Sequence, residues 1–508
     1  MIDKKLIPSI NEIKLQSGSG ILSFMIKLVL WLFSVGLLFM PAIIAQPAGD
    51  DLINPYYLFF ETNGSFFETI RVGFEYGTSH KFDIIGQIFF VLHSWLWIQF
   101  DYFTGLNHIW FYVATKASIF ALVLVSGTYW VFQLLRQVHL IISFWKLLYL
   151  VTAVAGATVQ IHNSWSNDPV ANYPLSGYAS AIFSFVVLAL LVKHKSSDSS
   201  KDLLMISFWA SIAILYYQIN IALLAAMCVF WVTQSWSKIK GRDFLQPLKT
   251  GIYLFLFPAI VVFYGSFITS GKTENYDGTS IGEWTQFPKT TLIGLVGTIP
   301  GGGWRLSERY LGSLLFPGWM SFLVLAVLLV ILFSFWPNSA LQKSAKIPIS
   351  CVLFLTPALA FWVAVVSIQT VTLKYQNEII SIGHVYNFYA HGHIFAAGAI
   401  VLLLLVTLQK SLRWGAGLVC VIAIFGMTQF QINSQLRTNA RDANYESWKL
   451  LNAFNVSLDD AARCDAWKTW ASIDWVEYYE QHMGYGYQQA FKTLHNQDFC
   501  STGTNPIP

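Results

Sequence analysis

Apolar stretches of about twenty residues, separated by short polar breaks, recur through the first 430 positions of this chain. Taken as membrane spans they number eleven: 21–46, 109–135, 147–162, 176–193, 203–219, 221–237, 250–269, 317–336, 348–368, 388–409 and 415–430. The first is too long for a signal-peptide core and no small-x-small cleavage site closes it, so it predicts a retained anchor. Two further segments are apolar without fitting a crossing. Residues 52–70 are rich in Tyr and Phe but short and polar-interrupted, the pattern of a helix at headgroup depth. Residues 82–100 are more apolar, yet counting them as a crossing would put Arg136 and every later basic loop on the opposite side. They are expected to lie along the membrane surface or dip into it. Beyond 430 the pattern turns to mixed charge, with helix-like stretches at 439–455 and 458–495.

Composition agrees with the pattern. Hydrophobic residues make up 55% of the 508 positions and charged residues 11%, against about 25% charged in soluble proteins. Too little charge remains to coat a water-facing surface of this size. The net charge of +4 is dispersed and gives no nucleic-acid footprint. No Cys- or His-rich tract suggests a structural metal.

Charge also sets a topology. With the N-terminus (1–20) in the cytoplasm, sixteen Lys and Arg fall on inner segments and seven on the longer outer loops. The positive-inside rule favours that orientation, and an odd span count then puts the C-terminal tail, 431–508, outside. Twenty-two of the 27 acidic residues fall on outer loops or the tail, and none within a span. The outer face is therefore where charged chemistry is expected, in loop 47–108, loop 270–316 and the tail. Cys464 and Cys500 of the tail are expected to pair in an oxidising compartment, stabilising it by roughly 3–4 kcal/mol. Cys228, Cys351 and Cys420 lie in spans and are read as packing residues.

The most informative polar sequence directly follows the first span: Ala-Gly-Asp50-Asp51-Leu-Ile-Asn-Pro. Adjacent carboxylates raise one another's pKa, which suits a general base or a metal ligand, although a solvated turn or helix cap has the same sequence. One span, an acidic pair beyond it, two juxtamembrane helices ending before Gly-Leu-Asn (105–107), and a second span running inward: this arrangement resembles the GT-C superfamily of membrane glycosyltransferases. The resemblance covers roughly residues 20–270 in pattern, and bacterial cell-envelope glucosyl- and arabinosyltransferases are the nearest in kind. It implies an all-α polytopic fold of about eleven spans, 21–430, in a bacterial inner membrane with a helical periplasmic tail. It also implies a polyprenyl-phosphate sugar donor, a glycan or glycoprotein acceptor, and an acidic base in the first outer loop, here Asp50 or Asp51.

A second acidic site often sits in the next outer loop of that family. In Asn163-Ser-Trp-Ser-Asn167-Asp168-Pro-Val-Ala-Asn172-Tyr173-Pro only Asp168 is charged; it reads either as that site or as a cap for the span starting near 176. A phosphate leaving group needs cations, for which Arg305 and Arg309 (one helical face apart by four), Lys116, Lys374 and His391 are candidates. Lys116, two turns inside the second span, either snorkels to the interface, the preferred reading, or faces a polar cavity. His391 and His393 point to different faces of a helix and are poorly spaced for a shared metal. No cofactor is expected, and a divalent cation has only weak support because nothing resembles a DxD motif. The tail tryptophans Trp448, Trp467, Trp470 and Trp475 suit sugar stacking or, preferentially, a small core. The sequence predicts an inverting glycosyl transfer at the outer face. Its rivals are a secondary transporter or flippase, disfavoured by spans free of Asp and Glu, and a polymerase or ligase of lipid-linked glycans.

Overall fold

The computed structural model describes residues 19–47, 50–79, 82–104, 109–138, 140, 142–162, 168–194, 199–241, 244–269, 280–303, 318–334, 350–380, 384–454, 458–471 and 485–501. Among them regular structure is helical, apart from one isolated antiparallel bridge between Ile281 and Thr372. Every predicted span coincides with an apolar helix. These are α1 (Ser19–Leu38) with the short α2 (Met40–Ile43), α6 (Ile109–Gln137), α7 (Phe144–Thr158), α8 (Gly177–Lys193), α9 (Ser200–Tyr216), α10 (Leu223–Lys240), α11 (Leu245–Thr269), α13 (Trp319–Phe333), α14 (Ser350–Thr370), α16 (Phe388–Lys410) and α17 (Leu412–Ala443). Among the described residues, six apolar helices are long enough to cross a membrane: Gly20–Leu38, Ile109–Gln137, Gln218–Trp236, Leu245–Phe267, Phe388–Lys410 and Leu412–Asp442. The chain is a multi-helix membrane protein.

Two surfaces show why lipid is the solvent. Inside, α6, α7, α8 and α16 share one contiguous core in which Trp130, Val151, Phe185 and Leu404 are buried. Outside, large apolar side chains face away from the protein, among them Phe33 of α1, Phe263 and Phe267 of α11 and Trp319 and Val330 of α13. An aqueous surface does not carry apolar area on this scale. Cys228 and Cys420 belong to that outward surface, so the packing role expected of them is corrected. Phase along a lipid-exposed helix is invisible in a sequence that is apolar on every side.

The first long loop folds as two juxtamembrane helices and a third, longer one: α3 (Asp50–Glu61), α4 (Phe66–Ser79) and α5 (Ile84–Thr104). The single interfacial helix expected over 52–70 is broken at Thr62–Ser65. There Asn63 and Gly64 adopt φ of 47° and 65°, a left-handed turn that Gly64 takes without steric cost. Phe67, 82% exposed, stands on the outward side of α4. α5 packs against α3, α4 and α9, and Gly86 lets it approach so closely that a Cβ there would lie 1.9 Å from the Tyr216 carbonyl oxygen.

The helix of the last predicted span continues past 430: α17 runs unbroken to Ala443, and the described residues beyond it form α18 (Tyr445–Ala453), α19 (Asp460–Ala471) and α20 (Tyr485–His495). The tail does not hang free. Tyr56, Phe59, Trp97 and Tyr112 of the membrane domain form one buried cluster with Leu450, Phe454, Trp470, Tyr487 and Phe491 of the tail. Tyr56 lies between the rings of Phe454 and Tyr487, at 5.0 and 4.7 Å. Cys464 and Cys500 are joined in a disulfide with Cα atoms 5.0 Å apart. The tryptophans Trp467 and Trp470 are buried in this core, which is the packing role rather than an exposed stacking platform; Trp475 lies outside the described residues.

Candidate functional site

α7 has only 15 residues, about 22 Å of helix against a hydrocarbon layer of about 30 Å. The chain after it, 159–162 and 168–176, continues as buried irregular backbone inside the protein. Such backbone survives at that depth only if its polar groups find partners, and here they do. The Gln160 amide donates to the Tyr389 hydroxyl (2.9 Å) and the Ile161 amide to Asn433 Oδ1 (2.9 Å). Asn433 returns a bond to the Val159 carbonyl (2.9 Å).

Asp168 organises the second half of that segment. Its Oδ1 accepts from the Val170 and Ala171 amides (2.8 and 2.9 Å) and its Oδ2 from the His162 amide (2.6 Å). Buried to 1% exposure, the carboxylate holds the turn closed, as a cap would. It is not among the residues lining the cavity described below.

Lys116 is likewise enclosed, at 0% exposure, and the snorkelling preferred from sequence is corrected. Its Nζ donates to the carbonyls of Ala42 (3.0 Å), Ala45 and Ala171 (3.2 Å) and lies 4.5 Å from the Tyr112 ring centroid. An ammonium at this depth, unable to reach water, is stabilised by carbonyl dipoles and a ring face.

His391 and His393 are both buried in the first two turns of α16. His393 lies within hydrogen-bond reach of Tyr178 (3.1 Å) and Thr158 (3.2 Å); His391 reaches Ser180 (3.3 Å), which with Ser184 bonds Asn220. These polar groups stitch α7, α8 and α16 together. They sit a turn below Asn387 of the cavity wall, so His391 is not brought to it.

The cavity, of about 380 Å³, lies where the loops meet. Asn54 of α3 and Asp83, Gln87 and Phe90 at the start of α5 line it. So do Lys374, Tyr375 and Glu378 of the short helix α15 (Leu373–Glu378), with Tyr386 and Asn387. Tyr173 and Ser176 of the second loop and Tyr216 and Tyr217 after α9 close it. Tyr217 and Asn387 are bonded at 2.8 Å, and Tyr386 donates to the Glu378 carboxylate. Partial desolvation of its carboxyl raises Glu378 above its ordinary range, and nearby Lys374 opposes that shift. α15 is itself tied down by the bridge of Thr372 to Ile281 and by Gln376, which bonds both the amide and the carbonyl of Glu283.

Asp50 and Asp51 open α3, and their side chains lie outside the described residues. Their backbone positions are informative: they precede Asn54, which lines the cavity, by four and three residues, hence one helical turn. Pro55 has no N–H to return to the Asp51 carbonyl, which loosens this first turn. Arg305 and Arg309 lie outside the described residues. Among those described, Lys374 is the cation of the cavity wall, and no group of three or more His, Cys, Asp or Glu is arranged to hold a metal ion.

Sequence reasoning missed Asp83, Glu378, Tyr375 and Tyr386 of the lining. Asp83, directly before an apolar run, carried a helix-start signal that identified its position but not its neighbours. No family model matches the chain, and no curated protein and no solved structure matches it either.

Proposed function

We propose that this chain is an inverting membrane glycosyltransferase of GT-C type with eleven crossings, transferring one sugar from a polyprenyl-phosphate donor to a glycan or glycoprotein acceptor. The reaction sits on the periplasmic face of a bacterial inner membrane. The carrying observation is the cavity lined by Asn54, one turn from the Asp50-Asp51 pair, together with polar, aromatic and carboxylate groups and Lys374. At about 380 Å³ it is near the small end of ligand pockets. That volume suits one sugar ring and its phosphate better than an oligosaccharide on a diphosphate.

In this reading Asp50 or Asp51 takes the proton of an acceptor hydroxyl as its oxygen attacks the anomeric carbon. The bond from that carbon to the phosphate oxygen breaks, and the phosphate leaves against Lys374, with Arg305 and Arg309 as further cations. Tyrosine faces and the Asn, Gln and carboxylate groups of the wall hold the sugar hydroxyls. Purified protein in liposomes, supplied with a monosaccharide on polyprenyl phosphate or an oligosaccharide on polyprenyl diphosphate, tests the proposal. Transfer from the first alone is expected. Transfer from the second alone makes the chain a ligase of lipid-linked glycans.

Transport is the second reading, favoured by the unwound backbone after α7, a feature of transporter binding sites. Sugar or lipid-linked sugar moving across proteoliposomes with no bond made or broken is the result that selects it.

A further inference from the structure

We propose that Lys116 is a positioning residue that ties the segment leading into the Asp50-Asp51 helix to the buried second outer loop around Asp168, and thereby sets where the acid pair stands. The inference rests on the reading of Asp50 or Asp51 as the base. Its geometry does not depend on that reading.

Three carbonyls converge on the Lys116 ammonium. Ala42 and Ala45 lie in the turn that ends the first membrane segment, a few residues before Asp50; Ala171 lies in the buried loop that Asp168 shapes. The two halves of the arrangement share one peptide unit: the Ala171 amide donates to Asp168, and the Ala171 carbonyl accepts from Lys116. A buried cation and a buried anion are thus connected through a single residue of a loop with no helix of its own. An ammonium offers three N–H donors, and these three carbonyls lie within its hydrogen-bond reach. The second bolt is Asn172, 3% exposed, whose Nδ2 donates to the Gln46 carbonyl at 3.3 Å across the same junction. Lys116 is not part of the cavity wall, so a lysine read from sequence as a phosphate ligand acts instead through α3.

Arginine does not substitute. Its planar fork is larger than the cradle and aims its donors outward, whereas these carbonyls converge on one point.

The test compares wild type, Lys116→Met, Lys116→Arg and Asn172→Ala in lipid nanodiscs. Transfer kinetics are measured at varied concentrations of polyprenyl-phosphate sugar, and hydrogen exchange is measured over 42–47 and 168–172. Both Lys116 variants are expected to lose about 100-fold in kcat, the scale of a misplacement near 1 Å, with donor KM within about twofold. Exchange should rise in both segments together. Asn172→Ala should show the same pattern at smaller amplitude, and it decides the matter if the Lys116 variants do not fold. A tenfold rise in KM with kcat retained would mean that Lys116 holds the donor and would overturn the proposal. So would folded variants with unchanged kinetics and exchange. If the wild type transfers no sugar, the transferase reading fails, and the exchange data alone judge the tie.

Discussion

Breaking the Cys464–Cys500 bridge by replacing both residues with Ser asks how firmly the tail is fixed and what it holds in place. The bridge closes a loop of 36 residues. In the chain-entropy account such a closure is worth roughly 3–4 kcal/mol. Other ties remain in its absence: the Asp460 carboxylate accepts from the Ser501 amide (3.0 Å) and hydroxyl, and Arg463 Nε donates to the Phe499 carbonyl (2.9 Å). The apolar cluster around Tyr487 and Phe491 also persists. The tail should therefore stay folded but open more often, with amide exchange in α19 and α20 faster by roughly 100- to 1000-fold. Because α20 packs on α3, with Gly486 against the Tyr57 backbone, exchange in α3 should follow in the same direction. Hydrogen-exchange mass spectrometry of the double variant in nanodiscs reads both. Protection of α19 and α20 within threefold of wild type would refute the stabilising role, and loosening of the tail with α3 untouched would refute the coupling.

Three further outcomes follow from single contacts. Gly86→Ala drives a Cβ into the Tyr216 carbonyl and should cost about 1–3 kcal/mol, read as a lowered Tm, whereas Gly36→Ala, with open space around it, should be neutral or stabilising. Asp168→Asn puts an amide NH2 against backbone donors that now bond oxygen, and should cost about 1–3 kcal/mol and raise exchange over 168–172; unchanged protection would contradict the turn-closing role. Hydrogen bonds from Ser501 and the charge of Arg463 lower the pKa of Asp460 in the folded tail. A lowered folded pKa means stability present above the unfolded value of about 3.9 and lost as pH falls through the folded one. The Ser501 end of the tail should thus loosen only below about pH 4, and tail tryptophan fluorescence changing near neutral pH would be inconsistent with this.

Much of the helical frame was legible because lipid imposes a long apolar run on each helix, a signal that needs no partner to be read. The position of the cavity was not. Asp83, Lys374 and Tyr173 come from three separate loops, and nothing local announces their meeting. Lys116 shows the limit most clearly. The sequence marks a lysine inside an apolar helix, but its partners are backbone carbonyls 55 to 74 positions away, and a carbonyl has no sequence signature. Asp168 stands out in the sequence as the lone charge of its loop, yet whether a carboxylate bonds its own backbone or a ligand depends on how the loop folds. The tail tryptophans were resolved the same way: only the packing of α18 on α19, with Ser447 accepting from the Trp470 indole, decides that Trp470 is covered.

The acid pair carries the account. Asp50→Asn and Asp51→Asn, each purified folded and assayed for sugar transfer from polyprenyl phosphate, test it most directly. At least one should fall to about 1% of wild-type turnover or below, the scale of losing a general base, with donor binding and the exchange pattern of α3 preserved. Full turnover in both would contradict the assignment of the reaction to this end of the protein.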